Sequence, residues 1–164
     1  SGTVYVANGS SSGSWIPADS HIAGYVAFDA ATPAYVHSTT TSDTVINPTF
    51  TVASSKNFSG TSSPNARLVY TGAATVYGQV SFFASLQQAS GTARQVQLVL
   101  YKNGVEVAGS RVIATVASGE WHVVAFNTIV QLAQNDYLEI FIKGDASHTT
   151  NFAGAQMAIN CFPG

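Results

Sequence analysis

Between Asn135 and Phe162 the chain repeats its apolar residues at every second position, and nowhere does a 3.6-residue apolar period run for ten residues. Successive side chains of a strand point to opposite faces, so a period of two writes a strand with one buried side. Asn135-Asp136 signals a turn into residues 137–142. There Leu138, Ile140 and Ile142 share one face, while Tyr137, Glu139, Phe141 and Lys143 share the other. After a polar connection over residues 144–150, Ala153, Ala155, Met157, Ile159 and Cys161 line one face of a last strand. Phe152, Gly154, Gln156, Ala158, Asn160 and Phe162 line its other face. Both strands thus carry rings on the side that a core does not claim.

The same alternation recurs upstream over residues 22–28, 76–86, 96–101, 106–116 and 121–130. Asn103-Gly104 between two such runs predicts a type I′ hairpin, because these residues tolerate the positive φ that the turn needs. Pro33, Pro48 and Pro64 break the intervening third, which has room for short edge strands at 45–46, 50–52 and 66–70. Residues 1–17 read as a lead-in at the end of a stalk, with a short strand at 3–7 and a Gly/Ser link over 8–13; residues 18–164 read as the head domain. Eight to ten strands at 8–14-residue spacing and no helix make the chain all-β, a two-sheet antiparallel sandwich or a closed barrel.

Charged residues make up only 9% of the chain, against roughly 25% in an ordinary globular domain. A net charge of −2 provides no basic field for nucleic acid, and no apolar run is long enough for a spanning helix. Cys161 is the single cysteine, which rules out an intrachain disulfide and reads as a small apolar residue on the core face of the last strand.

The four histidines are scattered, and no nucleophile elbow or phosphate loop occurs. The acids fall about one per turn or strand, so paired-carboxylate chemistry has no candidates. Asp136 is expected to bond its own turn, and Asp145 alone makes a poor calcium site. No catalytic residue, metal or cofactor is expected. Trp15, Tyr35, Tyr70 and Trp121 are candidates for stacking on a ligand such as a sugar. The sequons Asn8-Gly9-Ser10 and Asn57-Phe58-Ser59 matter only to a secreted eukaryotic protein.

Four places, in order, resemble the C1q/TNF-like jelly roll. Residues 72–83, with Tyr77, are similar to its "pGxYxF" strand; Leu100-Tyr101-Lys102-Asn103-Gly104 resembles "lxkNGxxv". Residues 130–138 resemble "vxLxxGDxvxv" with Asn135 in place of glycine, and residues 151–155 resemble the closing "tFsGfll" strand. The resemblance implies a jelly-roll sandwich that assembles as a homotrimer.

A physical argument points the same way. With residues 22–28, 76–86, 137–142 and 151–162 in one sheet, Tyr25, Tyr77, Phe83, Tyr137, Phe141, Phe152 and Phe162 gather on its outer face as a trimer interface. Residues 2–15 are similar in texture to the lead-in of bacteriophage fibre heads and capsid-decoration proteins. The expectation is therefore a non-enzymatic virion surface protein that displays or attaches, its partners being other virion proteins and a host glycan or receptor. The alternatives are a secreted C1q-like ligand- or glycan-recognition module and, third, a jelly-roll polysaccharide-degrading enzyme.

Overall fold

The computed structural model describes residues 5–7, 15–17, 22–29, 35–48, 51–61 and 66–163, with side chains for 35–48, 56–61 and 66–162. In chain order the strands are β1 (Tyr5–Ala7), β2 (Trp15–Pro17), β3 (Ile22–Asp29), β4 (Tyr35–Thr39), β5 (Thr44–Val45), β6 (Thr51–Ser55), β7 (Phe58–Thr61) and β8 (Arg67–Tyr70). Then come β9 (Val76–Gln88), β10 (Arg94–Lys102), β11 (Val105–Glu106), β12 (Val112–Val116), β13 (His122–Leu132), β14 (Tyr137–Gly144) and β15 (His148–Pro163). No helix occurs among the described residues, as the missing 3.6-residue period requires.

β1 and β2 pair as a hairpin across the Gly/Ser link. The other strands form two antiparallel sheets. One runs β13-β9-β15-β3-β6, with β4 also pairing β15; the other runs β11-β10-β14-β8-β7, with β12 on β10 and β5 on β14. Val80, Leu86, Val130, Leu132 and Ile159 from the first sheet meet Leu68, Leu98, Leu100, Leu138 and Ile142 from the second in one buried core. The all-β, two-sheet reading from the sequence is what the chain adopts.

Local chemistry accounts for the turns. Asn103 and Gly104 have φ of 52° and 77°, the two positive values of the I′ hairpin. Asn135 has φ of 70°, so it fills the left-handed position at which the resembled pattern carries glycine. Asp136 Oδ2 accepts from Ala133 N (2.9 Å), closing its own turn as expected. Cys161 is buried on the core face, where loss of water pushes its thiol up to about 11.

Three expectations need correction. β14 lies in the second sheet, paired with β10, β8 and β5, and does not sit beside β9 and β15. The place beside β9 belongs to β13. The polar connection read over 144–150 shrinks to residues 145–147, because Gly144 ends β14 and His148–Thr150 already pair with Thr39–His37. Finally, β15 does not keep one phase. Its register on β9 shifts between Phe152 and Gly154, so two residues there oppose one. That bulge turns Phe152 inward with Thr150 while Ala155, Met157 and Ile159 still point inward, and Phe152 is fully buried against Tyr35 (ring centroids 5.5 Å).

Candidate functional site

The outer face of the first sheet is a surface almost without charge. β9, β13 and β15 contain no Asp, Glu, Lys or Arg. Register fixes its rows across neighbouring strands. Val123, Ser85, Gly154 and Asp29 stand side by side, then Ala125, Phe83 and Gln156, then Asn127, Ser81, Ala158 and Tyr25. Ile129, Gln79 and Asn160 follow, and Gln131, Tyr77 and Phe162 end the face. Val123 is 74% exposed and Ile129 68%; Tyr77, Phe83 and Phe162 each expose about half their surface. Val36 on β4 and Trp121, two residues before Val123, extend the apolar area at one end. Scattered apolar side chains are ordinary on a protein surface, but this many in register on three adjoining uncharged strands form a patch of interface type.

The ion pairs among the described residues lie on the second sheet and its hairpins. Arg111 donates through Nη1 and Nη2 to Asp43 (3.0 and 2.8 Å) and through Nε and Nη2 to Glu106 (3.1 and 2.6 Å). Tyr101 donates its hydroxyl to Asp43 Oδ2 (2.8 Å) and stacks on Phe141 with ring centroids 4.0 Å apart. The Arg111 guanidinium holds both carboxyls below their ordinary range, and they in turn raise its own pKa. Arg67 bonds the buried Glu139 carboxylate (2.9 Å) and lies 4.2 Å over the Tyr137 ring. Lys102 bridges to Asp136 (3.1 Å) and donates to Gln131 O (2.8 Å), tying the β10–β11 hairpin to β13. Burial pushes the Asp136 carboxyl up, but the bonds from Ala133, Asn103 and Lys102 together outweigh it and hold the group low.

At one end, a hydrogen-bond chain crosses between the sheets. Thr44 donates to Ile142 O (3.1 Å), so its oxygen accepts from His37 Nε2 (2.8 Å), and His37 Nδ1 is left to accept from Tyr35 OH (2.9 Å). Asn47 N donates to the same phenol oxygen (3.0 Å). The neutral imidazole satisfies both side-chain partners, and burial favours it by lowering the pKa.

These placements sort the expected site residues. Tyr77, Phe83 and Phe162 share the uncharged face. Tyr25 pairs with Ala158 at the backbone on that face, and its side chain lies outside the described residues. Tyr137 and Phe141 stand on the other sheet, engaged by Arg67 and Tyr101, and Phe152 is in the core. Of the ligand candidates, Tyr70 is buried and donates to Ala74 O (2.8 Å), so it has no face for a ligand. Tyr35 serves the His37 chain, Trp121 is exposed, and the Trp15 side chain lies outside the described residues. Tyr35, Tyr70 and Trp121 are not brought together as one exposed site.

Val123, Ala125 and Ile129 are the part of the face that reading by aromatic residues missed. The absence of charge in β13 was the available signal. Among the described residues, no group of three or more His, Cys, Asp or Glu side chains is placed to hold a metal ion.

No family model matches the sequence, and no curated protein matches it. Solved structures do share the architecture. An Eiger TNF from S. frugiperda superposes with a TM-score of 0.55 at 9% identity, over 87% of this chain and 92% of its own. Murine APRIL superposes with a TM-score of 0.52 at 10% identity, over 87% of this chain and 99% of its own. With its two antiparallel sheets and no helix among the described residues, the chain has a TNF-like jelly-roll fold.

Proposed function

We propose that this chain is a non-enzymatic, extracellular recognition module of ligand type that acts as a homotrimer. The uncharged outer face of β9, β13 and β15 lies between the copies. The observation that carries the reading is the division of the surface: ions on one sheet, none on three adjoining strands of the other. A lone sandwich has no use for three adjoining half-apolar, charge-free strands in water, whereas a closed ring of copies covers them. The TNF-like fold supports this ligand-like reading over the virion head, for which neither the fold nor the neighbours offer support. Recognition then falls to the surfaces that the ring leaves open, without a chemical step. Light scattering on the purified chain tests the assembly. A mass of three 17.1 kDa chains is expected, and a stable monomer at micromolar concentration overturns the proposal.

A further inference from the structure

The β6–β7 turn joins the two sheets at the margin opposite β13. β6 ends the order of one sheet and β7 the order of the other, so two outermost strands lie side by side there among the described residues. Neither strand contains a charged residue, and the exposed Lys56 stands in the turn between them. Unguarded edges invite pairing with another chain, and charges, proline or bulges are the usual protection. β6 has a bulge, because its register on β3 shifts after Tyr25; no such irregularity guards β7.

The sequon Asn57-Phe58-Ser59 begins in this turn and runs into β7. Asn57 is exposed with φ of 63°, and its carbonyl accepts from Thr71 N (2.8 Å), which fixes the turn. Its side-chain amide pairs with no other described residue. Phe58 is buried against Tyr70 (ring centroids 5.2 Å), and Ser59 is exposed beyond it. The fold therefore anchors the middle residue and leaves the amide open to solvent. Asn47-Pro48-Thr49 has the same spacing but proline in the middle, which disqualifies it.

We propose that Asn57 is an N-glycan acceptor and that carbohydrate there covers the β6–β7 margin, confining association to the uncharged face. The inference rests on the extracellular reading above. The donor is an oligosaccharide carried on a lipid pyrophosphate. Asn57 Nδ2 forms the bond to the anomeric carbon and gives up a proton, while the bond from that carbon to the pyrophosphate oxygen breaks and the lipid pyrophosphate leaves. The glycan is bulky and hydrated, as an open sheet margin needs.

The chain and its Ser59→Ala variant, both secreted from a eukaryotic host, test the site by peptide mass spectrometry before and after enzymatic deglycosylation. Ser59→Ala removes the hydroxyl but leaves the left-handed Asn57 in place. The expected result is a glycan on Asn57 that deglycosylation converts to Asp and that Ser59→Ala abolishes, with the variant forming species larger than the wild-type oligomer. A secreted trimer with unmodified Asn57 overturns the site and leaves the trimer reading standing. A glycosylated monomer supports the site and removes that reading. Ser59→Ala oligomers no larger than those of the glycosylated chain overturn the shielding role.

Discussion

Phe83→Lys puts the proposed interface to its most direct test. Phe83 is 46% exposed in the single chain, in a row with Ala125 and Gln156, so assembly has about half a ring left to cover. An aromatic side chain buries roughly 200 Å² in full, which leaves about 90 Å² for the interface. At about 25 cal/mol per Å², covering it stabilises each copy by about 2 kcal/mol, or about 7 kcal/mol over a trimer. Each 1.4 kcal/mol is about tenfold, so the association constant falls by roughly five orders of magnitude from lost burial alone. Covering an unpaired ammonium on an uncharged face adds a further penalty of the same sign.

The fold itself should survive, because the substituted side chain already meets water in the monomer; a change within about 0.5 kcal/mol is expected. Light scattering therefore reads a monomer where the wild type gives a trimer, with an unchanged far-ultraviolet spectrum and a near-equal urea midpoint. Phe141→Lys serves as the contrast. Phe141 stacks on Tyr101 in the other sheet, so its loss lowers the urea midpoint and leaves the oligomer mass unchanged. A Phe83→Lys trimer of wild-type affinity refutes the reasoning, as does dissociation caused by Phe141→Lys alone.

Stability should fall as the solution is acidified. The folded state keeps His37 neutral below its ordinary 6.5, where the unfolded chain takes up a proton, so the contribution is complete above about pH 6.5 and declines towards the lowered folded value. The slope cannot exceed about 1.4 kcal/mol per pH unit, and urea midpoints show it flattened in His37→Gln. Gly78→Ala should cost about 1–3 kcal/mol in thermal unfolding, because the new methyl meets Ile159 Cδ1 at 2.5 Å and Cys161 Sγ at 3.1 Å inside the core. Arg111→Ala should lower stability at neutral pH by about 1–2 kcal/mol, since it leaves Asp43 and Glu106 facing each other without their cation. The loss should shrink as acid neutralises both carboxylates.

Strands and turns were legible because their signals are local. The alternation in residues 76–86 and the Asn103-Gly104 turn each need only a few residues of context, and both appear in the fold. Sheet membership is not local, and there the reading by rings failed. Tyr137 and Phe141 looked like Tyr77 and Phe83, yet their strand also carries Glu139 and Lys143, whereas β13 carries no charge at all. Charge would have set β14 apart from β9, β13 and β15. Phe152 failed for another reason. A bulge changes phase between two residues, and strict alternation carries a ring across it to the wrong face. β4 and β7 were missed because Ser, Thr and Gly write no alternation strong enough to see.

With charges so few, the use made of each decides how the surface behaves. Arg67, Lys102 and Arg111 are all engaged by carboxylates on the second sheet and its hairpins, which locks β10, β11, β14 and the residues before β5 together. β9, β13 and β15 contribute no charge of their own to steer a partner or to set a register by ion pairs. Copies meeting through β9, β13 and β15 have only shape, apolar area and neutral hydrogen bonds to use, so encounter is unassisted and affinity resides in slow dissociation. Such a face is unselective wherever it is flat. The opposite margin, with two uncharged outermost strands, offers a competing way to associate, and threefold closure succeeds only if that route is closed. The sequence puts no ion on those two strands; the turn between them carries one exposed lysine, Lys56, and an open asparagine amide.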